Sequence, residues 1–396
     1  MSKMKQIDAF EQDELDAAFT DEGTAPKNKK AKKEKKKGGA VGRFFRIFFH
    51  CFFTLIILLV GALCLVMNLI FNGPSESARV VLTMSLTEAS ATKWVPGLFM
   101  DEETVAAIRK KADTNLPEEG TNTSEIIINR DQITSASSDE WAKFPDGIRI
   151  EEVKGKTYNA HVMIIRDPSR VYMATSTDGA FSTSKPGTRI NQQIETEGAV
   201  AAINAGAFND DGTAGSHVGS IPAGLLMAGG EVRSDAYHKM VPEEGFAGFN
   251  KDDILVVAKS MTAEEAEAQG IRDGCEFGPV LIMNEVINEA AYNSNSGYNP
   301  RTAIGQRKDG AVIFLCIVGR QAGSPGGTYR DVIDIMIEYG AVNACNMDGG
   351  SSSVMLYRDQ YGLYGDAGQV QMINNYSLLQ AEPRRMPNFW MVRPAE

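Results

Sequence analysis

The stretch NMDGGSSSVML, residues 346–356, ends the hydrophobic run YGAVNAC on a carboxylate. Asp348 is followed by Gly349 and Gly350, then by Ser351, Ser352 and Ser353. A carboxylate at the end of a strand is held more firmly than one on a loop, which suits a nucleophile or a general base. Glycines without a Cβ let a ligand approach the backbone, and the N–H groups and hydroxyls behind them can take anionic oxygens. Three further stretches have the polarity to join this one. INAGAFNDDG, residues 203–212, ends a strand on Asn204; FGPVLIMN, residues 277–284, carries Gly-Pro into an apolar run; NPRTAIG, residues 299–305, leads Arg301 into another. The Arg301 guanidinium is a planar fork matched to phosphate oxygens. Taken singly, each stretch also has a plain structural explanation. Asp-Gly-Gly is a common turn, an Arg at a strand start is an ordinary solvated charge or carboxylate partner, and Asn204 can satisfy backbone groups at a strand end.

The elements that must position these residues lie mostly after Ile148, where short apolar runs alternate with Gly, Asp and Asn. AHVMIIRD, RVYMAT, GAVAAINAG, AGLLMAGGEVR, ILVVAK, GPVLIM, AVNACNM and NFWMV suit strands, and GQRKDGAVI carries an Asp-Gly hairpin turn. Helices are few. TAEEAEAQG offers Thr262 as an N-cap. In GGTYRDVIDIMIEYGA, Thr328 and Asp331 are spaced as a capping box, Val332, Ile335, Met336 and Tyr339 share a face, and Gly340 supplies the stop. The expectation is an α+β ectodomain, a many-stranded mixed sheet with a few helices, preceded by a single transmembrane helix.

That helix is residues 47–71, in which His50, Thr54 and Asn68 are the clearly polar members. At about 1.5 Å per residue it exceeds the roughly 30 Å hydrocarbon core. Ten Lys and Arg lie in residues 27–46, and the positive-inside rule then puts the N-terminus in the cytoplasm and the main domain outside. The lysine tract suits anionic lipid headgroups. The formal net charge of −11 conceals a split: residues 1–46 hold 12 Lys and Arg against 8 Asp and Glu, so the rest carries 28 against 43, a net −15. So acidic a body excludes a nucleic-acid surface. The layout expected is a disordered cytoplasmic tail (1–46), a transmembrane helix (47–71), a membrane-proximal stalk and linker (72–140) with a helix starting near Asp101, and the main domain (141–396). Cysteines 51, 64, 275, 316 and 345 form no disulfide framework, a 316–345 bridge being left open.

In their order, the four polar stretches resemble the phosphodiester glycosidase family. Its pattern is an Asn and Gly-rich strand end followed by Phe, then Gly-Pro with an apolar strand, Pro-Arg-Thr-Ala-Ile-Gly, a Gly-Thr-initiated helix, and Asn-x-Asp-Gly-Gly-Gly-Ser. Here these fall at 204–208, 278–282, 300–305, 327–328 and 346–352, and RRMPNFWMV, residues 384–392, looks like the family's closing Arg-containing strand. The resemblance runs from about residue 158 to 393 and implies a bacterial, membrane-anchored member. It implies Asp348, Arg301 and Asn204 as catalytic residues. It also implies substrate binding by Gly206, Phe208, Asp210, Thr302, Asn346, Gly349, Gly350, Ser351, Ser352 and Arg385. Ser351 stands where a third glycine is usual, and Ala207 precedes a single Phe208 where an aromatic pair is common.

The chemistry implied is cleavage between a sugar's anomeric carbon and a phosphate oxygen, on an envelope glycopolymer or related glycan. Arg301 would bind the phosphate and Asp348 would act as nucleophile or base. A phosphomonoester leaves readily, its second pKa being about 6, so one carboxylate can suffice. Asp210, Asp211 and Glu276 are the candidates for a second acid. No cofactor is implied; a divalent cation such as calcium is left open, NDDGTAGSHVGS lacking the alternating ligands of an EF-hand. The partners expected are a phosphosugar polymer and membrane lipid. STSK, residues 182–185, matches the S-x-x-K of penicillin-interacting enzymes without its companion motifs. Two other functions stay open: a silent membrane-anchored module that binds phosphate-containing wall or capsule polymers, and transglycosylation instead of hydrolysis.

Overall fold

Alternation along the strands decides the layers. In Arg301–Arg307, Ala303 points to one face and Ile304 to the other; in Ala341–Met347, Ala344 points with Ala303, and Cys345 and Met347 with Ile304. The computed structural model describes residues 40–88, 92–109, 114–134, 141–209, 218–242, 244–374 and 382–395. Residues 1–39, with most of the lysine tract, and Asp210 and Asp211 lie outside that set.

A seven-stranded sheet runs in the order Ile148–Lys154, Asn159–Ile165, Val312–Ile317, Arg301–Arg307, Ala341–Met347, Val280–Met283, Val286–Ile287, every neighbouring pair antiparallel. A five-stranded sheet has the order Glu231–Ala236, Gly224–Ala228, Ile271–Glu276, Phe246–Asn250, Leu255–Ala258. Another five-stranded sheet has the order Val370–Met372, Met355–Arg358, Ala201–Asn204, Asn388–Val392, Val171–Thr175. One face of the large sheet (Met163, Ile304, Phe314, Cys345, Met347) packs on Phe249, Val257 and Cys275 of the second sheet and Ile203, Met355 and Trp390 of the third. Each large aliphatic chain sealed there contributes about 1.5–3 kcal/mol relative to exposure. The other face packs Ala303, Leu315 and Ala344 on Val332, Ile333, Ile335 and Met336 of the helix Tyr329–Glu338.

That helix is set by local chemistry. Thr328 and Asp331 close the expected capping box, and Gly340 ends the helix at φ +81°, where a side chain would be strained. Thr262 and Glu265 form a second capping box. The Asp309–Gly310 hairpin joins Arg301–Arg307 to Val312–Ile317. The expected mixed α+β architecture is present, and Cys275, Cys316 and Cys345 are all free and buried.

The helix Ala40–Asn72 has 33 residues, about 50 Å at 1.5 Å per residue, and its Gly42–Asn72 portion is long and apolar enough to cross a membrane. Contacts divide the chain into a unit through Leu63 and another from Cys64 to Glu396. Parts of the expected membrane-proximal stalk and linker, 72–140, lie in the second unit and touch the domain. The helix Glu76–Thr87 reaches the loop before Arg301, where Glu88 Oε2 pairs with Arg301 at 2.7 Å. Farther on, Asn115 Nδ2 donates to Ile287 O (3.1 Å), Thr121 Oγ1 to Val257 O (2.7 Å), and Asn122 N to Asn284 Oδ1 (2.7 Å). The polarity that suggested a solvated linker instead satisfies backbone and turn groups of the domain.

Candidate active site

Asp348 sits one residue beyond Ala341–Met347, and its turn is fixed from below. Asp348 N donates to Ala205 O at 2.9 Å, and Asn204 Nδ2 donates to Asp348 O at 2.5 Å. Asn204 Oδ1 accepts from Thr302 Oγ1 (2.9 Å) and Val354 N (3.1 Å), and Thr302 Oγ1 lies 3.2 Å from Ser353 Oγ. Asn204 and Thr302 are fully buried. Their amide and hydroxyl join three strands under the turn, on which Asp348 is half-buried. Gly349 and Gly350 are demanded by packing: a Cβ on Gly349 would stand 2.8 Å from Pro300 O, and one on Gly350, at φ +61°, would stand 3.1 Å from Arg320 Nη2. Gly350 N donates to Pro300 O at 2.9 Å, so the turn and the start of the Arg301 strand are one assembly.

Three guanidinium groups surround it. Arg301, expected as an open fork for phosphate, is buried at 5% exposure. Its Nε donates to Gly327 O (3.1 Å), its Nη2 to Gly297 O and Glu88 Oε2 (2.7 Å each), and the group stacks 4.4 Å over the Tyr329 ring. The strand puts Arg301 on the helix side with Ala303, and that side is closed by Glu88. Arg320 is exposed, adopts φ +57°, and donates from Nη2 to Asn299 Oδ1 at 3.0 Å. Burial of its guanidinium lowers its pKa, and Arg301 adds to this; Glu88 and Asp348 act in the opposite sense. Arg384 lies 4.7 Å over the Phe208 ring, its Nη1 3.3 Å from Ser351 Oγ.

The residues singled out in the sequence therefore divide. Asp348, Gly349, Gly350 and Ser351 form the partly open turn. Asn204, Thr302, Asn346 and Ser352 are buried at 1% exposure or less and support it rather than line it. Asn346 Nδ2 donates to Gly278 O at 2.8 Å; its Oδ1 and the Ser352 hydroxyl have no hydrogen-bond partner among the described residues. Gly206 is buried too, donating to Asn388 Oδ1 at 2.7 Å. Phe208 underlies Arg384. Arg385 is turned away from the turn: it pairs with Arg189 in a short ladder and donates to Gly187 O at 3.0 Å, so Arg384 takes the place expected for it.

Glu276, a candidate second acid, spends Oε2 on Leu225 N (3.2 Å) and His238 Nδ1 (3.1 Å). Burial raises its pKa, and those two contacts pull it back. It points opposite to Cys275, whose Cβ and Sγ border Gly206 on the core side. Among the described residues no three His, Cys, Asp or Glu side chains are grouped to hold a metal ion. Sequence inspection missed Glu88, Arg320 and Arg384. The hairpin register gave a clue for Arg320 alone: Arg301 pairs with Ile317, which brings residue 320 to the same end of the sheet.

Fold and turn together define a mixed α+β domain in which the Asp348 turn lies beside Arg320 and Arg384. Residues 197–393 match the family model described as phosphodiester glycosidase. The SPbeta prophage-derived uncharacterized protein YomE of Bacillus subtilis is 25% identical over 195 residues, 47% of this chain and 28% of that protein, so the chain spans less than a third of its length. The catalytic domain of zebrafish N-acetylglucosamine-1-phosphodiester alpha-N-acetylglucosaminidase, auto-inhibited by its pro-peptide, is 17% identical with a TM-score of 0.47, covering 63% of this chain and 82% of that one. A hypothetical protein from Synechocystis is 15% identical with a TM-score of 0.40, covering 62% of each chain.

Proposed function

We propose that this chain is a membrane-anchored hydrolase that cleaves the bond between a sugar's anomeric carbon and a phosphodiester oxygen, on glycopolymers outside the membrane. The observation that carries it is Asp348, half-buried on a glycine turn whose backbone is pinned by the buried Asn204. Water attacks the anomeric carbon, the carbon–oxygen bond to phosphate breaks, and the electron pair leaves with the phosphomonoester. The water's proton passes to Asp348 acting as base; with Asp348 as nucleophile, a glycosyl ester forms first and water then releases the sugar. The leaving group's second pKa of about 6 removes the need for a strong acid on that side. Arg301, already bonded through Nε and Nη2, lends its charge from beneath the turn.

The apolar helix supports the anchor, and the lysine and arginine residues before it support a cytoplasmic N-terminus held against anionic lipid. The test is turnover of UDP-sugars and synthetic sugar-1-phosphodiesters by the full chain in detergent. Asp348→Asn is expected to lower kcat at least about a hundredfold with an unchanged melting temperature. Wild-type turnover in that variant rejects the assignment, and binding without turnover by the native chain identifies a polymer-binding module instead.

A further inference from the structure

Of the three cations around the Asp348 turn, Arg320 is the one whose surroundings fit contact with a ligand. Arg301 is buried beneath, and Arg384 is drawn to the Phe208 ring and Ser351. Arg320 is exposed as a residue, while its guanidinium is set into the surface over Gly350, 3.1–3.5 Å from where a Cβ would be. Its backbone holds a left-handed conformation that side-chain-bearing residues rarely adopt, fixed by the bond from its N–H to Pro325 O at 2.9 Å.

What aims the guanidinium is an amide. Asn299 can offer Arg320 either its oxygen or its nitrogen, and only the oxygen accepts. Its Nδ2 end is claimed by Glu88 Oε2 at 2.8 Å, a carboxylate that accepts only, and this leaves Oδ1 facing Arg320 Nη2 at 3.0 Å. Glu88 is itself fixed: Oε2 also takes Arg301 Nη2, and Oε1 takes Gly297 N at 3.2 Å. Thus a residue just past the helix Glu76–Thr87 determines which way an amide faces beside the catalytic turn.

We propose that Arg320 is the residue that grips the substrate's phosphate at the Asp348 turn, and that Asn299, oriented by Glu88, is its positioning residue. This rests on the hydrolase function proposed above and supplies its anion-binding contact. The charged groups that act on Arg320 are Arg301, Glu88 and Asp348. Phosphate gripped there meets the guanidinium beside the Asp348 turn, the space over Gly350 being filled by Arg320 itself.

The experiment is steady-state kinetics of the full chain in detergent on a sugar-1-phosphodiester. Arg320→Gln is expected to raise KM about 10- to 100-fold, the loss of one charge-assisted contact, with the melting temperature unchanged. Arg320→Lys restores the charge without the fork and recovers part of that loss. Asn299→Ala raises KM less, and adding it to Arg320→Gln has no further effect, because both act through one contact. An unchanged KM in Arg320→Gln, with active wild type, overturns the assignment and leaves the hydrolase function standing. Should wild type turn over none of the diesters, the hydrolase function fails, and calorimetric titration with inorganic phosphate decides Arg320 separately. Binding by wild type that Arg320→Gln loses upholds the anion contact; equal binding, or none by wild type, overturns it.

Discussion

A carboxylate that must meet a reacting carbon gains from being placed before the reaction begins, and Asn204 does the placing here. Its amide ties the Asp348 carbonyl to Thr302 and Val354 at zero exposure, so no water can replace a lost partner. Asn204→Ala removes the partner of the Asp348 carbonyl and of the buried Val354 N–H, and leaves the Thr302 hydroxyl with Ser353 alone. At about 1–3 kcal/mol for each buried group left unpaired, and with some relaxation, a loss of about 3 kcal/mol in stability is expected from denaturant unfolding. The kcat of the surviving folded protein falls as well, since the turn loses its pin. A variant that keeps kcat while losing stability removes Asn204 from the positioning of Asp348.

Elements differ in how much of their placement is local. The helix Tyr329–Glu338 was readable from Thr328, Asp331 and Gly340 because capping is settled within one turn of chain, and the hairpin after Arg307 because Asp-Gly fixes it. The turn at Asp348 was readable as a turn from Asp-Gly-Gly, and its neighbours only through the family resemblance, because apolar alternation sets the faces of strands and not their order. What could not be read was which side chain faces the turn once two elements meet. Arg384 and Arg385 exchange roles with one step of register, set by the pairing of Arg385 with Arg189 nearly two hundred positions earlier in the chain. Arg301 was expected to open toward phosphate because nothing in residues 72–140 announces that Glu88 will close over it. Gly297 admits that closure: a Cβ there would stand 2.2 Å from Ser85 N. Glu88→Ala leaves the buried Arg301 charge without its carboxylate, and a loss of about 3 kcal/mol in unfolding free energy is expected, with a smaller loss for Glu88→Gln, which still accepts from Arg301. Equal stability of Glu88→Ala and wild type returns residues 72–140 to the status of a stalk.

At the scale of the whole molecule, two electrostatic effects oppose each other as pH falls. The part after residue 46 carries a net −15, so protonating carboxylates relieves repulsion and favours the compact state. His161 works in the other direction. It lies in the large sheet, opposite Glu152 and Cys316, at 9% exposure, and its Nδ1 has no partner among the described residues. Burial lowers its pKa below the ordinary histidine value, Glu152 opposing weakly. The unfolded chain takes up a proton near pH 6.5 and the folded chain does so only at lower pH. Stability from this group is therefore complete above about pH 6.5 and is lost as pH falls from there through the folded pKa. Because the strand is paired on both sides within the sheet, charging His161 strains the global fold and not a local loop. Melting temperatures of wild type and His161→Gln, measured from pH 7.5 to 5, isolate the effect, since the carboxylates are common to both. Wild type is expected to lose stability relative to the variant on acidification, by about 1.4 kcal/mol for each pKa unit of depression, and parallel curves would show that His161 titrates alike in the folded and unfolded protein.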